Sequence, residues 1–96
     1  MRNLKQIAND IKSNWKNVYF GAVPYLDAMC MCENISDTYG MEDCVSIVNY
    51  FLANATYWRG EKAREIKKEL NNMIKEFKEH PENFPEGKVI ELSFIY

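Results

Sequence analysis

From Met41 to Trp58 the chain is apolar on most sides of a would-be helix. Cys44, Val45, Val48, Phe51, Leu52 and Ala55 recur at spacings of three and four, and Ile47, Tyr50 and Tyr57 add apolar surface elsewhere around the cylinder. A helix that is apolar around much of its circumference needs neighbours on more than one side, so it belongs at the centre of a bundle. With 96 residues, 47% of them hydrophobic, the chain has enough apolar material for one core and length for one domain.

Three further segments have helical period. Leu4, Ile7, Ala8, Ile11 and Trp15 form a stripe over about residues 3–16, with Asn3 placed to cap its first turn. Gly21 then permits a turn, and Pro24 suits the first turn of a second helix over about 24–38, which Gly40 would stop. Its second half is weakened by Asn34, Ser36 and Thr38. After Gly60, Ala63, Ile66, Leu70, Met73, Ile74 and Phe77 make a clean stripe over about 61–79, and Pro81 ends it.

The end of the chain has a different character. His80 to Gly87 reads as a loop with two prolines, and Lys88 to Tyr96 has strand composition, with Ile90, Leu92, Phe94 and Tyr96 on one face. No second strong strand is evident, so its backbone groups need a partner. Pairing with Val18-Tyr19-Phe20, with a second copy in a homodimer, with a partner's sheet edge, or docking as an extended tail would each answer that need. The expected fold is therefore all-α, a small bundle of about four helices over residues 1–80, with a β-like tail over 81–96 in the same domain.

Three segments stand out together: Asn14-Trp15-Lys16-Asn17, Pro24-Tyr25-Leu26-Asp27-Ala28-Met29, and Ile47 to Ala55 followed by Trp58-Arg59-Gly60-Glu61-Lys62-Ala63-Arg64. Through them the chain resembles, over about residues 7–74, a group of small proteins of tailed bacteriophages and prophages, and residues 80–96 extend beyond the pattern. The resemblance carries over no catalytic residue. It implies a phage-type gene product acting in a bacterial cell, where small accessory proteins often bind and inhibit host proteins, defence nucleases among them.

The chain offers few residues in a catalytic or metal-binding pattern. Cys30-Met31-Cys32, Cys44 and His80 form the one plausible metal set, but side chains two apart on a helix diverge by about 200°. Three cysteines, an odd count, read best as reduced thiols packed as small apolar groups. His80, the single histidine, fits a helix end better than a Cys–His nucleophile. No phosphate loop or nucleophile elbow occurs. Glu65 with Lys68, and Lys75 with Glu79, have the spacing of ordinary helix-surface pairs. Asp37, Glu42 and Asp43 lack the alternating order of a calcium loop. No metal, cofactor or catalytic residue is assigned.

Arg59, Lys62, Arg64, Lys67 and Lys68, beside Tyr57 and Trp58, form the densest basic patch, although Glu61, Glu65 and Glu69 interrupt it. Arg59 at the turn is expected to cap the preceding helix or to pair with Asp37 or Asp43. A net charge of −2 argues against bulk attraction to nucleic acid or anionic membrane. No apolar run is long enough to span a membrane, and the start has no secretory h-region.

The expectation is thus a non-enzymatic, cytoplasmic binding protein with a host protein as partner. Its candidate contact residues are Tyr57, Arg59, Glu61, Lys62 and Arg64, with Ile90, Leu92, Phe94 and Tyr96 on the tail. A nucleic-acid-binding regulator using the fourth helix is the alternative. A small-molecule, nucleotide-type binder with a pocket lined by Trp15, Tyr19, Tyr25 or Trp58 is a third.

Overall fold

Asn3 starts the first helix. Its side chain accepts a hydrogen bond from the Gln6 backbone N–H at 2.9 Å, and Gln6 returns one to the Asn3 N–H at 2.9 Å, a capping box. In the computed structural model, which describes residues 2–91, this helix, α1, spans Leu4–Asn14. It is followed by α2 (Val23–Met31), β1 (Thr38–Tyr39), β2 (Glu42–Asp43), α3 (Cys44–Ala53), α4 (Glu61–Glu79), a 3-10 turn (Pro81–Asn83) and β3 (Val89–Ile90). Helix α4 has the bounds that its apolar stripe predicts.

The core is built from the expected stripes. Leu4, Ile7, Ala8 and Ile11 of α1 meet Leu26 and Met29 of α2, Val48 and Phe51 of α3, and Ile66 and Leu70 of α4 in one buried cluster. Full burial of one such side chain stabilises the fold by about 1.5–3 kcal/mol. Helix α1 packs on α2 and α4, and α3 packs on the same two neighbours, so the apolar circumference of α3 is met from two sides.

Between α2 and α3 the expectation of continuous helix is corrected. Helix α2 stops at Met31, well short of Thr38, and α3 spans Cys44–Ala53 rather than about Met41 to Trp58. The intervening chain makes a hairpin, with Thr38 opposite Asp43 and Tyr39 opposite Glu42. Gly40, expected to stop a helix, supplies the positive φ of 63° for the hairpin turn instead. Strand β3 lies parallel to β1, giving the order β2-β1-β3. The fold is therefore mostly helical with a small three-stranded sheet, not all-α.

Asp37 organises this region. It is 1% exposed. Its carboxylate accepts from the backbone N–H of Glu33 at 3.0 Å, Asn34 at 2.9 Å and Lys88 at 3.1 Å. The first two bonds hold the chain out of helix after α2, a local competition in which Asp side chains excel. The third fixes the tail. Backbone bonds from Thr38 N–H to the Lys88 carbonyl and from Gly40 N–H to the Ile90 carbonyl continue the pairing. The described part of the tail's strand, Val89–Ile90, thus pairs within the chain, at Thr38–Tyr39 rather than at Val18–Phe20. Leu92, Phe94 and Tyr96 lie outside the described residues.

The cysteine expectation is corrected too. Cys32 and Cys44, both fully buried, form a disulfide between the end of α2 and the start of α3, because the hairpin folds these ends together. Cys30 stays free, and burial pushes its thiol pKa up, which disfavours the thiolate.

The expected pairs within α4 are not among the ion pairs formed by the described residues. Arg2 instead bridges Asp10 at 2.8 Å and Glu69 at 2.6 Å, and Lys62 reaches Asp10 at 3.0 Å, tying α1 to α4. Hydrogen bonds from Arg2 and Lys62 hold the Asp10 carboxyl below the usual aspartate range. A lowered folded-state pKa stabilises above the unfolded value of about 3.9 and is lost as the pH falls through the folded one. Asp10→Asn should therefore lower stability at neutral pH by up to about 1 kcal/mol. The gap to wild type should close on acidification below about pH 3.9 in urea titrations. A gap unchanged with pH would show that charge is not the cause.

Candidate functional site

The turn after α1 and the turn after α3 meet at one end of the bundle. Trp15 closes α1, its backbone N–H donating to the Ile11 carbonyl at 2.8 Å. Trp58 follows α3. The two indoles stack with centroids 5.5 Å apart and planes 10° apart, and Phe51 meets Trp15 edge-on at 6.2 Å. Both indoles are buried, so a polar partner for each N–H matters. The Trp58 indole N–H donates to Asn14 Oδ1 at 3.2 Å.

Above this floor opens a cleft of about 590 Å³. One wall is Lys16, Asn17 and Tyr19; the other is Tyr57 and Arg59. The Tyr19 and Tyr57 rings lie 5.7 Å apart. Gly21 makes room for this arrangement, because a Cβ there would sit 2.6 Å from Tyr19 Cε2 and 2.8 Å from Asn54 Oδ1. Gly21→Ala should shift the Tyr19 ring and cost about 1–3 kcal/mol. The check is near-UV circular dichroism with urea unfolding; unchanged aromatic signal and stability would refute the packing role.

The structure distributes the expected contact residues unevenly. It brings Tyr57, 73% exposed, and Arg59 together at the cleft. Glu61 opens α4, and Arg64 lies exposed one turn further on. Lys62 is engaged with Asp10. Ile90 sits half-buried in β3, in the sheet rather than at the cleft. The expected roles of Arg59 are corrected. Lys67, not Arg59, donates to a carbonyl behind α3, that of Trp58, at 2.7 Å. Asp37 is committed to backbone amides, and Asp43 caps α3 by accepting from Ser46 N–H at 2.8 Å. Arg59 makes no ion pair or side-chain hydrogen bond among the described residues. Its charge, after burial, is the second cause of a lowered Lys67 pKa.

Of the small-ligand lining expected from the sequence, Trp15, Tyr19 and Trp58 do line the cleft, whereas Tyr25 does not and pairs with Tyr50 at 5.4 Å. Lys16, Asn14 and Asn17 complete the lining, and no spacing in the sequence marks them for it. Their proximity to Trp58 depends on how α1 and α4 pack, which periodicity does not encode. A smaller cleft of about 290 Å³ lies between Arg2, Ile35, Met73 and Phe84. The Arg2 guanidinium there is already held by Asp10 and Glu69.

No group of three potential metal-ligating side chains stands together among the described residues. Cys32 is bonded to Cys44, and the His80 ring faces Glu82 at 3.3 Å rather than the helix-end carbonyls. No described helix is long and apolar enough to cross a membrane.

No family model, curated protein or solved structure matches this chain.

Proposed function

We propose that this chain is a small, non-catalytic accessory protein of phage type that acts in a bacterial cell by binding a host protein, inhibition of a defence system being one concrete form. The cellular context rests on the sequence resemblance. The observation that carries the binding reading is the exposure of large aromatic rings to water at two places, Phe20 and Tyr57 flanking Tyr19 at the cleft, and Tyr50 beside Tyr25. Phe20 is 80% exposed, Tyr57 73% and Tyr50 47%. Phe20 touches Tyr19, Tyr19 touches Tyr57, and Tyr25 touches Tyr50. Aromatic residues and arginine are the types enriched where proteins bind one another, and they carry most of the affinity there.

The test is capture of one defined host protein by wild type and by the Phe20→Ala/Tyr50→Ala variant. Both side chains are exposed, so the variant should fold. Binding should weaken at least tenfold, since aromatic anchors typically cost more than about 1 kcal/mol when truncated. Unchanged capture would exclude these rings.

The nucleic-acid alternative through α4 has less support. Lys62 is tied to Asp10 and Lys67 to the Trp58 carbonyl, so two members of the basic patch already have partners. The second-copy arrangement keeps one point in its favour, since β3 is an edge strand in the described sheet. Sedimentation showing only monomer at high concentration would remove it. A cytoplasmic setting also makes a chemical demand, because disulfides persist in oxidising compartments. In that setting the Cys32–Cys44 bond would be reduced, so protein trapped there with a thiol-blocking reagent should carry three free cysteines; a retained bond would count against the cytoplasmic reading.

A further inference from the structure

The cleft has a composition of its own. Its lining holds two cations, Lys16 and Arg59, and no carboxylate. Arg59 has no ion-pair partner among the described residues, while nearby Lys67 is held by the Trp58 carbonyl at 2.7 Å. The site is therefore a local positive field on a chain whose net charge is −2. Fields of this kind are aimed at anions.

The rest of the lining selects among anions. Tyr57 offers a ring that is 73% exposed, and Tyr19 stands 5.7 Å from it. A planar heteroaromatic ring can stack there, as bases do on exposed aromatic side chains. Asn17 is exposed at the rim, and Asn14 uses its oxygen on the Trp58 indole N–H at 3.2 Å, which leaves its amide N–H groups without an acceptor among the described residues. Amides of this type read the polar edges of bases. The volume of about 590 Å³ lies within the range of ordinary small-molecule sites, which is roughly 300–1,000 Å³.

We propose that the cleft between Lys16–Tyr19 and Tyr57–Arg59 binds a nucleotide unit, with the base stacked on Tyr57 and the phosphate held by Arg59 and Lys16. Arg59 supplies the fork geometry that suits phosphate, and Lys16 adds a second point charge. Purine monophosphates should bind best, having the larger stacking area. A free mononucleotide and a nucleotide at the end of a strand present the same chemistry. This goes beyond the protein-binding reading and is separable from it, because Phe20 and Tyr50 belong to the surface and not to the cleft, whereas Lys16 and Arg59 belong to the cleft.

Calorimetric titration of the whole chain with AMP, GMP, adenosine, ribose 5-phosphate and a short single-stranded DNA tests it. AMP or GMP should bind, and adenosine and ribose 5-phosphate should each bind at least about tenfold more weakly, since each lacks one of the two recognised groups. Arg59→Ala and Tyr57→Ala should each weaken AMP binding by about tenfold or more, with unchanged thermal unfolding because both side chains are exposed. Phe20→Ala/Tyr50→Ala should leave AMP binding intact even where it abolishes protein capture. Tighter binding of the oligonucleotide than of AMP, with the same two variants defective, supports the strand as the source; the reverse order supports free nucleotide. Absence of AMP and GMP binding at millimolar concentration overturns the proposal. So does equal binding of ribose 5-phosphate, or insensitivity to both cleft substitutions.

Discussion

Asp37→Ala is expected to lower unfolding free energy by about 3 kcal/mol or more, since each backbone N–H stripped of its acceptor in a shielded place costs about 1–3 kcal/mol. Three such groups depend on this one carboxylate: Glu33, Asn34 and Lys88. The side chain is 1% exposed, so water does not readily replace it. For a domain of this size the loss should appear as a fall in Tm of roughly 12 °C or more. Because typical domains are stable by only about 5–15 kcal/mol, the variant should be close to its limit. Asp37→Asn keeps the shape and one acceptor oxygen, but turns an N–H toward a donor, so an intermediate loss is expected. Hydrogen exchange gives the specific signature. The amides of Lys88, Thr38 and Gly40 should lose protection before those of α4, since the first donates to Asp37 and the others to the tail. A loss under about 1 kcal/mol in urea unfolding would mean that the three N–H groups find other acceptors.

Phe51→Ala should be as damaging for a different reason. Phe51 is fully buried and meets Trp15 edge-on at 6.2 Å. Its removal leaves a void under the floor of the cleft, and truncations of this type cost about 3–5 kcal/mol. Its neighbour supplies the control. Tyr50 is 47% exposed, and Tyr50→Ala should change stability by less than about 1 kcal/mol. Urea unfolding of the two variants side by side tests the rotational setting of α3. Equal losses would contradict it. Loosening of Trp15 in Phe51→Ala should also alter tryptophan fluorescence before global unfolding, because Trp15 stacks on Trp58.

Two consecutive residues with opposite fates show how much of the fold periodicity carries. Phe51 shares a three-and-four spacing with Val48 and Cys44, and all three are fully buried. The same rule places Leu4, Ile7 and Ile11, and it sets both ends of α4, where a long uninterrupted stripe lies between Gly60 and Pro81. It failed at residues 32–43. There the apolar spacing of Cys32, Ile35 and Tyr39 looks helical, yet a single carboxylate captures two backbone N–H groups and the chain turns into a hairpin. Local periodicity cannot anticipate that capture, because the third donor, Lys88, lies 51 residues away. Cys32 and Cys44 carry the same lesson, their separation of 12 residues being bridged only once the hairpin has formed.

The candidate site divides in the same way. Tyr57 and Arg59 stand out in the chain as an aromatic next to a cation at a helix boundary, and Trp15, Tyr19 and Trp58 as large rings near turns. That these five share one cleft with Lys16, and that Arg59 has no partner among the described residues while Lys62 and Lys67 are engaged, follows from how the helices pack.

Side-chain spacing along the chain was enough to place the helical faces and the buried stripes, since a helix repeats every few residues and its signal is local. The hairpin, the parallel tail strand, the disulfide and the cleft each join residues distant in sequence. Their formation depends on hydrogen bonds and packing between segments, so they exist only after the helices have come together.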